Sequence, residues 1–241
     1  MFVPRNCREN GTGIATIMTT PADKQKKRIF LVDDHPLVRE WLTNLINQQP
    51  DLIVCGETDS APQALEAIAR AKPDVAIVDL SLKDSSGFDL IKSLKQSETG
   101  AAVLVLSMHD EAHYAERALR AGARGYVMKR ETTKKVVTAI RRVLEGKLYL
   151  RESSAEAMTV RWVGGAAHGA TFTVEQLSDR ELEVFEMLGR GLGTRQIAET
   201  LRVSVKTVQA YCARIKEKLN LSSATELLRE AIRWNEARHQ R

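Results

Sequence analysis

Val75-Ala76-Ile77-Val78-Asp79 is an apolar run closed by a carboxylate, and Ile29-Phe30-Leu31-Val32-Asp33-Asp34 has the same form with two. Runs this short and this rich in β-branched residues read as buried strands. Outward from them the pattern repeats: strands are expected near 28–33, 52–57, 74–79, 102–107 and 124–128, alternating with helices near 36–48, 61–71, 87–97, 111–121 and 133–145. That alternation predicts a doubly wound α/β domain on a five-stranded parallel sheet. Pro36 suits a first helical turn and Gly122 a helix end, so the punctuation agrees with the period.

In a parallel sheet the strand ends meet at one edge, where such folds bind their ligands. Asp33, Asp34 and Asp79 gathered there repel one another unless they share a hard divalent cation. Mg2+ held by Asp34, Asp79, the backbone carbonyl of Ser81 and waters, with Asp33 acting directly or through water, would meet the preference of that ion for oxygen. Asp79 would then be both ligand and nucleophile, attacking phosphorus to form an acyl phosphate. Ser107 closes the run from Val103 to Leu106 and Lys129 closes that from Gly125 to Met128, bringing a hydroxyl and an ammonium to the same edge for phosphoryl oxygens. Singly, a strand-end Asp is most often a cap, such a Ser a local hydrogen-bond partner and such a Lys a solvated charge. Their coincidence at four strand ends favours a site for phosphoryl chemistry.

The chain has 241 residues, 43% hydrophobic and 28% charged, enough for two domains with separate cores. It shows no apolar run of bilayer length and no signal-peptide pattern, so a cytoplasmic protein without a membrane partner is expected. Cys7, Cys55 and Cys212 are too scattered for a disulfide framework or a zinc site. The net charge of +5 concentrates at the two ends, and the stretch 202–220 carries five basic residues against one acid. Residues 1–26 read as a disordered leader in which Met18 offers a second start. The α/β domain takes 27–147, and 148–173, with Gly164-Gly165 and His168-Gly169, has linker composition. A small all-α domain is expected over 174–241, with capping-box spacing at Ser178/Glu181 and Ser223/Glu226 and an N-cap at Ser204.

Within it, 193–201 reads as a short amphipathic helix, Arg202-Val203 as a tight turn and 204–219 as a second helix, the spacing of a helix-turn-helix. Val205, Val208, Cys212, Ile215 and Leu219 form the buried stripe of the second helix. Its other faces offer Lys206, Thr207, Gln209, Ala210, Ala213, Arg214, Lys216 and Lys218, a mixture of phosphate-seeking cations and residues able to read base edges. Double-stranded DNA is the expected partner.

The acidic pair Asp33-Asp34, Asp79, Ser107, Lys129 and Tyr126 together resemble the receiver domain of two-component response regulators, and the stretch from Leu106 to Lys129 resembles its NarL/FixJ branch. The loop after Asp79 departs from the common Met-Pro, carrying Leu82-Lys83-Asp84 with an extra acid near the phosphate. Leu177 to Phe185, the Ile197-Ala-Glu-Thr-Leu201 helix and Val203 to Tyr211 resemble the LuxR-type DNA-binding domain. The resemblance implies a cytoplasmic transcription factor whose Asp79 is phosphorylated by a sensor histidine kinase. It also implies Mg2+ as cofactor, promoter DNA and RNA polymerase as partners, and a homodimer on activation. It further implies that Tyr126, otherwise a half-buried aromatic with its hydroxyl in water, switches as Ser107 is drawn to the phosphoryl group. Positions 206, 207, 209, 210, 213 and 214 fall where that family approaches DNA, and Leu227, Leu228, Ile232 and Trp234 serve either a dimer face or the domain core. Two alternatives stand beside this reading: a regulator using its receiver only to dimerise, and a haloacid-dehalogenase-like phosphatase. The phosphatase normally requires Asp-x-Asp at its first strand end, whereas Asp33 and Asp34 are adjacent. The chain is not expected to be an enzyme beyond promoting its own phosphotransfer and dephosphorylation.

Overall fold

The computed structural model describes residues 26–82, 86–97, 99–163 and 174–239. The expected leader up to residue 25, Lys83, Asp84 and the Gly-rich stretch around His168 lie outside the described residues. The chain divides into two units between Ser154 and Ala155.

The first unit alternates β1 (Lys27–Val32), α1 (Pro36–Asn47), β2 (Leu52–Thr58), α2 (Ala61–Ala71), β3 (Val75–Val78), α3 (Gly87–Gln96), β4 (Ala102–Ser107), α4 (Glu111–Ala121), β5 (Gly125–Met128) and α5 (Thr133–Leu144). The strands form one parallel sheet in the order β2-β1-β3-β4-β5. Every element lies within about two residues of its expected place, as strands buried on both faces and amphipathic helices should. Ile29, Leu31, Val54, Ile77, Leu104 and Val127 are buried in the core beside Leu42 and Ile46 of α1 and Ile140 of α5. Each such side chain contributes about 1.5–3 kcal/mol by leaving water. Pro36 occupies the first turn of α1, Ser86 caps α3 by accepting from the Phe88 N–H, and Asp110 caps α4 by accepting from the Ala112 N–H. Gly122 ends α4 at φ +127, a conformation a side chain would strain.

The strand order reverses between β2-β1 and β3-β4, which makes β1 and β3 neighbours at the point where such sheets open a crevice. Their register pairs Val32 with Val78, and the Asp79 N–H donates to the Val32 carbonyl at 2.8 Å. Asp33 and Asp79 therefore leave the sheet side by side.

The stretch expected as linker from residue 148 begins instead as part of this unit. Tyr149 makes a parallel bridge with Gly125, its N–H donating to the Arg124 carbonyl and its carbonyl accepting from the Tyr126 N–H. A further helix, α6 (Glu152–Val163), follows. Glu152-Ser-Ser-Ala-Glu-Ala-Met158 contains no Gly or Pro and is helix-compatible throughout, but it lacks the sustained apolar stripe that a search for periodicity needs.

The second unit holds a 3-10 turn (Val174–Gln176), α7 (Asp179–Gly189), α8 (Thr194–Leu201), α9 (Val205–Lys218) and α10 (Ala224–His239). Ser178 and Glu181 form the expected capping box, the Ser178 N–H donating to the Glu181 carboxylate at 2.7 Å. Ser204 Oγ accepts from the Thr207 N–H at 3.0 Å, capping α9. At α10 only half of the expected box forms: Ser223 Oγ accepts from the Glu226 N–H, but the Glu226 carboxylate turns to Ser222. Arg202 takes a left-handed conformation in the tight turn between α8 and α9. Against α7, Phe185 meets Trp234 of α10 with ring centroids 5.6 Å apart.

Candidate functional site

Four strand ends of the first unit bring polar residues to one edge of the sheet. Asp33 and Asp34 follow β1, Asp79 follows β3, Ser107 closes β4 and Lys129 follows β5. Lys129 Nζ lies 2.7 Å from Asp33 Oδ2 and 2.7 Å from Asp79 Oδ2, so an ammonium already offsets part of the carboxylate repulsion. His35, which the sequence reading passed over, places Nδ1 3.0 Å from Asp33 Oδ1 and 2.8 Å from Asp34 Oδ1. The only sequence signal for it was its place directly after the acidic pair, where a residue preceding a helix is ordinarily taken as a cap.

Burial pushes the Asp79 carboxyl from an ordinary 3.8 up to about 6; Lys129 opposes that rise, Asp33 adds to it, and the Ser81 amide lowers it slightly. Burial also pulls Lys129 down, but Asp79 and Asp33 outweigh it, so the ammonium is held above its usual range. Asp79 is 2% exposed, and its Oδ1 has no hydrogen-bond partner among the described residues. One donor atom from each of Asp33, Asp34, His35 and Asp79 can lie within 4.8 Å of the others. A buried carboxylate oxygen short of a partner, beside two further carboxylates, suits a divalent cation.

Ser107 is fully buried and its Oγ accepts from the His109 N–H at 3.2 Å. Ser81 makes an antiparallel bridge with Ser86, and its Oγ is 2.8 Å from His109 Nε2. Tyr126 is fully buried, unlike the half-buried aromatic of the bland alternative, and its hydroxyl donates to the His109 carbonyl at 3.0 Å instead of to water. That bond removes the usual cost of burying a phenol.

On α9, Lys206, Gln209, Ala210, Ala213 and Arg214 are exposed, while Thr207 is half-buried with its hydroxyl against Ser204 Oγ at 2.8 Å. Val208, Ile215 and Leu219 form the buried stripe; Cys212 is half-buried, and Val205, expected inside, stays 37% exposed at the helix start. Lys218 does not join the exposed cations. Its ammonium pairs with Glu181 Oε2 at 2.6 Å and reaches the Gln176 carbonyl, tying α9 to the start of α7. Desolvation raises the Glu181 carboxyl, but Lys218 and the Ser178 amide overcome it and hold the group below its ordinary value. On α10, Leu227 is buried and Trp234 packs on Phe185, whereas Leu228 and Ile232 are exposed along a groove with Arg229 and Arg233.

Residues 29–141 match the response regulator receiver domain, and residues 175–231 match the luxR family of bacterial regulatory proteins. The oxygen regulatory protein NreC of Staphylococcus carnosus is 33% identical over 210 residues, which cover 86% of this chain and 97% of that protein. The chain belongs to the luxR-family response regulators. As a response regulator it joins a receiver domain to a DNA-binding helix-turn-helix domain and regulates transcription in two-component signalling. A crystal structure of a LuxR-family response regulator from Aurantimonas sp. SI85-9A1 superposes with a TM-score of 0.53 at 33% identity, covering 57% of this chain and 99% of that one. RcsB of Salmonella enterica serovar Typhimurium, bound to a promoter with the phosphomimetic BeF3-, shares the fold with a TM-score of 0.56 at 23% identity, covering 86% of this response regulator and 98% of RcsB. Among the described residues no helix is long and apolar enough to cross a membrane.

Proposed function

We propose that this response regulator takes a phosphoryl group from the phosphohistidine of a partner kinase onto Asp79 and thereby gains paired, sequence-specific contacts with promoter DNA. The observation that carries the reading is Asp79 itself: buried, one oxygen on Lys129, the other without a hydrogen-bond partner among the described residues. With its pKa raised to about 6, the carboxyl is mostly ionised at neutral pH yet poorly solvated, which suits a nucleophile. In the transfer the phosphorus–nitrogen bond of the donor breaks as a bond from an Asp79 oxygen to phosphorus forms, and the imidazole leaves with the electron pair. Lys129 meets the phosphoryl oxygens with a fixed positive charge, and the Ser107 hydroxyl donates to one of them. Asp33, Asp34, Asp79 and the Ser81 carbonyl would hold Mg2+, which would supply the remaining charge neutralisation during transfer. In time water attacks the phosphorus at the same site, the bond from the Asp79 oxygen to phosphorus breaks, and inorganic phosphate leaves as the carboxylate is regenerated, a self-limiting reaction and not turnover of a free substrate.

Downstream, Lys206 and Arg214 contact phosphates while Thr207, Gln209, Ala210 and Ala213 face base edges, as on a recognition helix in a major groove. Leu228 and Ile232 form the apolar part of a homodimer contact, and Leu227 and Trp234 belong to the domain core. The cytoplasm is where this chemistry meets kinase, promoter and RNA polymerase.

The test is selection of genomic DNA fragments by the full chain in Mg2+, with and without beryllofluoride, alongside Asp79→Asn. Paired half-sites enriched only with the mimic and lost in the variant support the proposal. Equal enrichment in every sample would replace it with a receiver that serves only to dimerise.

A further inference from the structure

His109 stands between three groups that the proposed function uses separately. Its N–H donates to Ser107 Oγ at 3.2 Å, its carbonyl accepts from the Tyr126 hydroxyl at 3.0 Å, and its ring Nε2 lies 2.8 Å from Ser81 Oγ. The two backbone contacts do not depend on the side chain and would survive any substitution other than proline. The bridge to Ser81 needs the imidazole, and the ring is held in its plane by stacking on Tyr114 of α4, centroids 4.5 Å apart and 24° between planes. Since a hydroxyl both donates and accepts, this bond forms with either ring tautomer.

We propose that the His109 imidazole is a positioning group that couples the loop after Asp79 to the loop after β4, so that the acidic pocket and Tyr126 move as one unit. The argument rests on Asp79 as phosphoacceptor. A Ser107 hydroxyl drawn toward a phosphoryl group pulls the His109 backbone with it, because that backbone is bonded to Ser107 on one side and to Tyr126 on the other. The imidazole passes the shift to Ser81, two residues after Asp79 in the loop that follows β3. Without the imidazole each loop keeps its own hydrogen bonds, but neither informs the other. Linkage makes the effect reciprocal: whatever the bridge does to transmit phosphorylation to Tyr126, it does equally to tighten the pocket around the phosphoryl group.

The test is titration of the full chain with beryllofluoride in saturating Mg2+, with the tyrosines fluorinated and the Tyr126 resonance assigned by Tyr126→Phe. Wild type should bind and shift that resonance. His109→Ala should weaken binding about fivefold, the equivalent of ~1 kcal/mol for one neutral hydrogen bond, and should shrink the Tyr126 shift at saturation. Ser81→Ala should weaken binding to a similar extent, and the double variant should fall no further than either single one. His109→Gln, which keeps a polar group within reach of Ser81, should restore most of the affinity and of the shift. Losses that multiply in the double variant, or His109→Ala indistinguishable from wild type, would overturn the coupling while leaving Asp79 as acceptor. Failure of wild type itself to bind would remove the phosphoacceptor reading and this inference with it.

Discussion

Replacing Asp79 by Asn should make the metal-free receiver more stable at neutral pH, although it removes one partner of an ion pair. Burial raises the Asp79 carboxyl from 3.8 to about 6 even with Lys129 2.7 Å away, so the folded state prefers the neutral form. A rise of about two units corresponds to ~3 kcal/mol that ionised Asp79 costs the folded receiver above pH 6. The sign follows from the direction of the shift. The folded carboxyl binds its proton more tightly than the unfolded one, so wild type loses relative stability from pH 3.8 to about 6 and is level beyond. Asn, close to a neutral carboxyl in shape and polarity, has no such slope. The gap between Asp79→Asn and wild type should therefore be near zero at pH 4 and approach ~3 kcal/mol by pH 7. Mg2+ should close it again from the other side, since an ion that binds only the folded wild-type pocket stabilises by ~2.7 kcal/mol at a hundredfold excess over its Kd. Urea unfolding of the full chain in EDTA or Mg2+, read by hydrogen exchange at β1 and β3 amides, isolates the receiver from the helical domain. A variant no more stable than wild type in EDTA at pH 8, or a gap that does not change between pH 4 and 7, would refute the account of a desolvated, strained carboxylate.

Other perturbations address the supporting structure. A Cβ at Gly87 would lie 2.1 Å from the Asp79 carbonyl oxygen and 2.7 Å from Leu80 Cα, so Gly87→Ala should force α3 away from the strand end, cost ~1–3 kcal/mol and weaken beryllofluoride binding; unchanged urea midpoint and affinity would contradict that packing. Lys206→Ala and Arg214→Ala should each reduce the slope of log affinity against log salt by about one for promoter DNA. Lys218→Ala should leave that slope alone and instead lower the midpoint of the helical domain, because its ammonium serves Glu181; a slope loss equal to the other two would return Lys218 to the DNA face. Leu228→Asp combined with Ile232→Asp should leave the protein monomeric in beryllofluoride by sedimentation and confine it to single half-sites, and a dimer of normal affinity would place the contact elsewhere.

The contrast between Lys129 and Lys218 shows what the sequence discloses and what it withholds. Both lysines sit at the end of a regular element, and from the sequence both offer a cation to a functional partner. For Lys129 the partner could be inferred, because it follows an apolar run that must be a strand, and parallel pairing delivers consecutive strand ends to the same edge whatever the details of the loops. Asp33 and Asp79 were bound to be near it. Lys218 lies on a helix, where a charge faces wherever the last turn happens to point, and its partner Glu181 is 37 residues earlier on an element whose crossing with α9 no local pattern encodes. The same limit hides His35, whose ring finds the acids only once α1 begins beside them, and the His109 carbonyl that accepts from the Tyr126 hydroxyl. It also explains α6, a helix with adequate propensity but no stripe to declare a buried face. Periodicity reports which residues are hidden from water, and so yields the sheet and its edge. The partners of polar groups depend on register and crossing geometry, so the candidate residues can be placed at one edge of the sheet while the position of His109 between Ser107, Ser81 and Tyr126 cannot be seen at all.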